Sequence, residues 1–256
     1  MEEFNLEKIY DYVYGCVEEY KEFVGIDSFP SFRIVPKEIT KEKSQSQGFD
    51  SWATTYYDTD TGEHTIEIWS NIWLPEFNAK YLVFHELTHI WDAEIYSQRN
   101  KMKYVANKGY TEYHAAQIDL LKALGAEKIS KPFSFKIDQS LQLIEGEKTV
   151  ADFVDAPRKL AEQLIIRPDF PSRIETLVTT LGAIFNYYGR RSICKMYCKD
   201  YDDSFESSII ESFIGRDAVQ FLNSYMIDWF DAPKVVIADT FNYKMYAALA
   251  VRHHFV

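Results

Sequence analysis

Apolar residues recur three or four positions apart through the first part of the chain, as they do on one face of an amphipathic helix. The positions are Phe4, Leu6, Ile9, Tyr10, Val13, Val17, Tyr20 and Phe23. This spacing predicts a helix over residues 2–24. Gly25 follows it, and glycine is typical of the first residue after a helix because it accepts a positive φ without steric cost.

After residue 30 the period changes to two, which is the period of a β-strand. Residues 31–39 alternate in this way and predict one strand. Residues 51–57 and 64–69 flank a polar hexapeptide that contains Gly62. Because a tight turn needs residues that tolerate a positive φ, we predict a β-hairpin here.

Helical spacing returns in the middle of the chain. The first helix is predicted to run from Pro75 or Asn78 to Tyr96, since proline suits a first helical turn and asparagine suits an N-cap. The second is predicted over residues 110–124, with Thr111 as a possible N-cap. The small residues in this second helix would allow it to pack closely on the first.

The rest of the chain, about 131–256, is predicted to be mainly helical. Its clearest helical segments are 172–188, 205–213 and 218–230. A soft boundary lies at Ser130-Lys131-Pro132, but no flexible linker separates two independent domains. We therefore expect an α+β fold, with a mixed α and β region at 1–130 and a mainly helical region at 131–256 that can belong to the same domain.

The composition is that of an ordinary globular protein, with 256 residues, 46% of them apolar and 26% charged. The formal net charge is −11, so the surface would repel a phosphate backbone, and we expect no nucleic-acid partner. One basic cluster stands out, formed by Arg190, Arg191, Lys195 and Lys199. It is interpreted as a solvated helix face.

The N-terminus is acidic and has no apolar core typical of a secretory signal, and no apolar run approaches the roughly 20 residues of a membrane span. Cys16, Cys194 and Cys198 are odd in number and predict no disulfide framework. Cys194 and Cys198 could join His253 and His254 in a second metal site, but the spacing is unlike a zinc knuckle, and idle thiols are favoured. We expect a cytoplasmic protein with no membrane partner.

The candidate chemistry lies in His85-Glu86-Leu87-Thr88-His89, inside the first middle helix. Residues four apart on a helix are separated by about 40° around the axis, so the two imidazoles project from one face and can bind one metal ion. Zinc accepts neutral imidazole nitrogen, and a catalytic zinc site has three protein ligands plus water. Glu86 is offset by about 100° and can act as the general base toward that water without binding the metal.

The third ligand must come from elsewhere in the chain. Asp92 shares the face of His85 but lies roughly 10 Å along the helix axis, so it is read as a partner of a ligand or as a solvated residue. Glu112, in the second helix, is the preferred ligand. Its alternative role is that of a first-turn acid stabilised by the helix dipole. His114, two residues further on, is the rival ligand and points away from the Glu112 face.

A strand, a helix with H-E-x-x-H and a second helix with a glutamate together resemble the gluzincin branch of the zincin metallopeptidases. The resemblance covers roughly residues 30–125, and the pentapeptide is its specific part. It implies a zincin-like α+β fold, zinc bound by His85, His89 and Glu112, and Glu86 as the base. The compact layout is also similar to small zincin peptidases of phages and mobile elements, including those that cleave repressors.

The resemblance further implies that the strand at 64–69 is the sheet edge along which an extended peptide would lie. The edge-strand signature of the family and its oxyanion-stabilising residue are not identifiable. Tyr110, Tyr113 and His114 are nearby polar candidates, each better explained as structural. We therefore expect a zinc-dependent hydrolase acting on a peptide or protein. The alternative is a metal-stabilised regulatory or binding module, and the sequence leaves substrate specificity and oligomeric state open.

Overall fold

The computed structural model describes residues 6–38, 52–131, 133–203, 207–224 and 232–255. Helices and strands mix along the chain, so the predicted α+β class is confirmed. The helices are α1 Leu6–Val24, α2 Lys80–Asp92, α3 Lys101–Ala123, α4 Val150–Ile165, α5 Ile174–Tyr197, α6 Ser208–Ile214, α7 Arg216–Ser224 and α8 Ala232–Arg252. The strands are β1 Phe32–Lys37, β2 Ala53–Tyr57, β3 His64–Trp69, β4 Ser140–Leu143 and β5 Gly146–Thr149.

The N-terminal sheet has the strand order β1-β3-β2. Strand β1 is parallel to β3, whereas β2 and β3 form the predicted antiparallel hairpin, with Tyr57 opposite His64. In its turn Gly62 has φ +79° and donates its N–H to the carbonyl of Asp58. The expectation that β3 is the sheet edge is wrong, because β1 and β2 pair with its two sides. Among the described strands, the edges are β1 and β2.

Helix α1 ends where predicted, at Val24, and Gly25 has φ +79°. Helix α2 begins later than predicted, after Ala79, and no side chain caps it. Pro75 and Asn78 therefore precede the helix, and Asn78 donates its side-chain N–H to the Gln142 carbonyl instead. Beyond Asp92 the chain continues as one turn of π-helix, Ala93–Ser97, close to the predicted helix end.

Helix α3 begins at Lys101, about two and a half turns earlier than predicted. Asn100 is its N-cap, and its side-chain oxygen accepts from the Lys103 N–H at 3.1 Å. The first turns of the helix are largely exposed and carry little apolar periodicity, so the hydrophobic pattern does not reveal them. Thr111 thus lies inside the helix, and the interpretations of Thr111 as an N-cap and Glu112 as a first-turn acid are wrong.

The C-terminal half is mainly helical, as predicted, and also contains the antiparallel pair β4–β5, which was not predicted. Helix α5 extends beyond the predicted segment 172–188 to Tyr197. Helix α6 overlaps the predicted segment 205–213, and α7 overlaps the predicted segment 218–230. Six predictions extend outside the described residues. They are the helix 2–24 at 2–5, the strand 31–39 at 39, the strand 51–57 at 51, the boundary 130–132 at 132, the helix 205–213 at 205–206 and the helix 218–230 at 225–230.

Helix α3 is central and packs against α2, α5 and α8. Its crossing with α5 is close at Gly189, where a Cβ atom would lie 2.2 Å from the Tyr113 carbonyl oxygen. Glycine is required there because any side chain would overlap the facing backbone. Buried residues from both sides of position 130 share one core cluster, including Tyr81 of α2 and Phe153 of α4, which pack edge to face. In the described ranges, no helix is long and apolar enough to cross a membrane.

Candidate metal centre

Helices α2 and α3 bring the three predicted ligands together. The rings of His85 and His89 lie one turn apart on α2, with centroids separated by 4.8 Å. Glu112 faces them from α3, with Oε2 at 3.7 Å from His85 Nε2 and 3.9 Å from His89 Nε2. One ligand atom from each residue falls within 4.8 Å of the other two.

These separations could hold a single metal ion. Ligand atoms about 2.0–2.1 Å from a tetrahedral zinc are roughly 3.3 Å apart, so the 3.7 and 3.9 Å separations between Glu112 and the two imidazoles would have to shorten slightly around such an ion. Two imidazoles and one carboxylate are a zinc-type donor set, and three protein ligands leave a fourth position open. Among the described residues, no other group of histidine, cysteine, aspartate or glutamate side chains has this geometry.

The His85 ring is oriented by a buried carboxylate. Asp119 Oδ2 lies 3.1 Å from His85 Nδ1, and the same carboxylate accepts two hydrogen bonds from Arg190, at 3.0 and 2.7 Å. Since an ionised carboxylate only accepts, His85 donates from Nδ1, and Nε2 is the ring atom that could bind a metal ion once it has lost its own proton. Arg190 comes from α5 and thereby links the helical region to the centre.

The His89 ring is oriented by a hydroxyl. Thr111 Oγ1 lies 2.9 Å from His89 Nδ1, one residue before Glu112 on α3. Binding a metal through Nε2 requires the proton on Nδ1, and the threonine oxygen can accept it. A single turn of α3 thus supplies one ligand and supports another.

Helix α5 covers Glu112 from the opposite side. Gly182, Asn186 and Arg190 are spaced four residues apart and share one face. The Glu112 carboxylate approaches the position of a Gly182 Cβ to 3.6 Å, and it accepts a hydrogen bond from the Asn186 side chain. One face of α5 therefore supports both Glu112 and, through Asp119, His85.

The charges of His85, His89 and Glu112 influence one another. Burial disfavours the imidazolium of His85, but hydrogen bonds to Asp119 and Glu112 outweigh burial and raise the pKa of His85 to about 10. Burial also disfavours the Glu112 carboxylate, but the neighbouring His89 and His85 outweigh it and lower its pKa to about 2. Burial lowers the pKa of His89. A metal ion that bound this group at neutral pH would therefore have to displace the proton of His85.

Glu86 is positioned beside the ligands and is not one of them. Its side chain is 8% exposed, and its Oε2 accepts a hydrogen bond from Thr55 Oγ1 at 2.6 Å. Thr55 lies on β2, so the edge of the sheet holds the carboxylate in place. A buried carboxylate with a single oriented donor has lone pairs left to accept a proton.

His114 and Asp92 pair with each other behind the centre. His114 Nδ1 donates to the Asp92 carboxylate oxygens at 2.9 and 3.0 Å, and both side chains are buried. Asp92 is therefore not solvated, and the His114 ring faces away from the metal group. Tyr110 and Tyr113 are buried as well. A tyrosine that sequence reasoning missed, Tyr246 of α8, lies close enough to Glu112 that burial and this carboxylate raise its pKa.

The basic cluster on α5 differs from the prediction. Arg190 and Arg191 are only 9% and 5% exposed, so the interpretation as a solvated helix face is wrong for them. A buried guanidinium needs a charged partner, and Arg191 pairs with Asp203 as Arg190 does with Asp119. Lys195 and Lys199 are exposed.

Of the residues that sequence reasoning missed, only Asp119 had a signal in the sequence. Asp119 follows Glu112 by about two helical turns on the same face, and this spacing was available in the sequence. Arg190, Asn186 and Tyr246 are far from the ligands in the chain, and no local pattern connects them to the centre. The thiols have no role there: Cys16 and Cys194 are buried and free, and Cys198 donates to Asp200.

The chain matches no protein-family model, and no curated protein or solved structure is significantly similar to it. The class of site therefore rests on geometry alone. It is a His-His-Glu group of metal-binding geometry, with a non-ligand glutamate beside it, in an α+β fold.

The choice between Glu112 and His114 as the third ligand can be tested by substitution. Glu112→Gln should weaken zinc binding by at least ~10-fold, because the neutral amide is a poor zinc ligand. His114→Gln should cost stability, because it leaves Asp92 without its partner, but should keep the zinc affinity. Competition with a chromogenic chelator measures both. Loss of affinity only in the His114 variant would exclude Glu112 as the ligand.

The contact between Arg190 of α5 and Asp119 leads to a second prediction. Arg190→Gln should reduce zinc affinity by about 10–100-fold, the usual effect of removing an outer support of a ligand histidine. Arg191→Gln is a matched control, since Arg191 is the next residue, is equally buried and is paired with Asp203 instead. Both variants should be less stable, and only the first should bind zinc more weakly. Equal affinities would show that Arg190 has a purely structural role.

Proposed function

We propose that the chain is a zinc-dependent hydrolase that cleaves peptide bonds. The observation that carries the proposal is the position of Glu86, a buried carboxylate beside three ligands that does not belong to the ligand group. A purely structural zinc site has four protein ligands and needs no base. Here only three described side chains form the group, and a carboxylate lies next to the open position.

The residues have separate roles in the proposed reaction. His85, His89 and Glu112 would hold the ion, which when bound acidifies water and polarises a carbonyl group. Glu86 accepts the proton of the attacking water and returns it to the departing amine. Thr55 holds the Glu86 carboxylate through one oxygen, so the other oxygen remains available for that proton.

The corrected sheet order supports a peptide as the substrate. Strand β2 is an edge of the described sheet, and its Thr55 contacts Glu86 directly. An extended peptide that lies beside Thr55 would pass next to Glu86, and this expectation replaces the one that assigned the peptide to β3.

The experiment that tests the proposal combines metal analysis with turnover. Protein purified without chelator should contain about one zinc per chain. The zinc-loaded protein should cleave members of a mixed peptide library, and a chelator should abolish the cleavage until zinc is restored. Stoichiometric zinc with no cleavage across the library would contradict the hydrolase and favour a metal-stabilised regulatory module.

A further inference from the structure

A second cleft lies among residues that take no part in the metal centre. It is formed where α6 and the C-terminal end of α8 meet the loop that contains Phe170, and its volume is about 410 Å³. This is within the roughly 300–1,000 Å³ of typical small-molecule sites. Its lining includes Phe170, Ser208, Ser212, Phe213, Arg252 and His253.

Arg252 places a positive charge at this cleft. Its Nη1 donates to the Phe213 carbonyl at 2.9 Å, which holds the guanidinium in position. In the described part of the chain, no carboxylate lies within 4.0 Å of it. It differs in this from Arg158, Arg190 and Arg191, which pair with acids. Arg252 instead keeps N–H donors available for an anion.

Uncharged hydrogen-bonding groups accompany the guanidinium. Ser208 and Ser212 are one helical turn apart on α6 and are both exposed. The Nε2 atom of His253 is buried and has no hydrogen-bond partner among the described residues. Burial and the neighbouring Arg252 lower the pKa of His253, which favours its neutral form. The cleft therefore has one cation and several neutral polar groups.

The inner wall of the cleft is aromatic. Phe170 and Phe213 pack edge to face at 5.4 Å, and each ring centroid lies 6.2 Å from that of His253. A ligand here can bury a hydrocarbon body against these rings while its charged end meets Arg252. A single guanidinium matches one carboxylate, whereas a polyphosphate would require more cations.

We propose that this cleft binds a small amphipathic carboxylate, with the carboxylate on Arg252 and the apolar body against Phe170 and Phe213. Two sources share this chemistry: a free medium-chain acid, and the C-terminus of a peptide that ends in an apolar residue. The proposal is independent of the hydrolase function, since it involves none of the metal-centre residues.

The test is calorimetric titration of the full chain with octanoate and with N-acetyl-leucyl-phenylalanine, each beside its neutral amide. At least one acid should bind saturably, and its amide should bind at least ~10-fold more weakly because the charge is lost. The tighter acid identifies the source. Failure of both acids to saturate below about 10 mM, or an amide as tight as its acid, would overturn the proposal.

Variants locate the binding. Arg252→Gln should weaken the tighter acid by at least ~10-fold, while Lys244→Gln, which removes an exposed charge elsewhere on α8, should not. Ser212→Leu fills the cleft from an exposed position and should block binding even if Arg252→Gln fails to fold. Circular dichroism checks the fold of each variant. Unchanged affinity in folded Arg252→Gln or in Ser212→Leu would place the ligand elsewhere and refute the assignment.

Discussion

Glu86→Gln should retain zinc and lose at least ~100-fold in peptide hydrolysis, the low end of the usual contribution of a general base. Glutamine has the shape of glutamate and can still accept the hydrogen bond of Thr55 through its amide oxygen. It cannot take a proton from water at neutral pH. The fold and the ligand group should therefore persist while the chemical step fails.

Glu67→Gln is a suitable control for this variant. Glu67 lies on β3 and accepts from Tyr56, which is next to Thr55 on β2 but on the opposite face of the sheet. Zinc per chain and initial rates on one peptide are measured for both variants. If Glu86→Gln keeps most of the wild-type rate, Glu86 is not the base. If it loses its zinc, the result reports on metal binding instead.

His85→Ala and His89→Ala should each empty the metal centre. Removing one of three ligands should weaken zinc binding by more than ~100-fold, which is the upper limit for removing a residue that only orients a ligand. Zinc at a thousandfold excess over its Kd stabilises a folded chain by about 4 kcal/mol, which for a chain of this size is a rise in Tm of roughly 8–16 °C. The wild type should show that rise on adding zinc, and these variants should show almost none.

His254→Asn is the control for the histidine variants. His254 is exposed and has φ +59°, a conformation that asparagine tolerates, so the substitution removes an imidazole with little strain. Its zinc content and its zinc-dependent rise in Tm should match the wild type. Full zinc content in His85→Ala and His89→Ala would refute the assignment of the metal centre.

Much of α2 and of the hairpin was predictable because their patterns are local. Helical spacing around His85 and His89 places both rings on one face wherever that helix packs. The polar turn with Gly62 predicts a hairpin because few residues adopt its positive φ. Glu112 was predicted on weaker grounds, since the packing face of α3 had to be guessed from the positions of small residues.

The elements that differ from prediction depend on neighbours distant in the chain. The place of β3 in the middle of its sheet depends on β1 pairing with it across the chain, and alternation within β3 cannot reveal that partner. The first turns of α3 include exposed apolar residues, Met102 and Val105, that form no buried helical stripe, and these turns are joined to a helix that is stabilised by packing further along. Arg190 reads as a surface residue until Asp119 is known to face it.

By itself the sequence determined the residue types and spacings that make a metal centre chemically possible: two imidazoles one turn apart, a glutamate between them that cannot share their face, and a further acid on a later helix. Only the tertiary structure decided that α3 presents Glu112 rather than His114, that Asp119 and Thr111 orient the two rings, and that α5 supports them through Asn186 and Arg190. The physical reason is that helical periodicity is set by local backbone geometry. Which buried charges face each other is set by the packing of helices far apart in the chain, where each charge must find its partner.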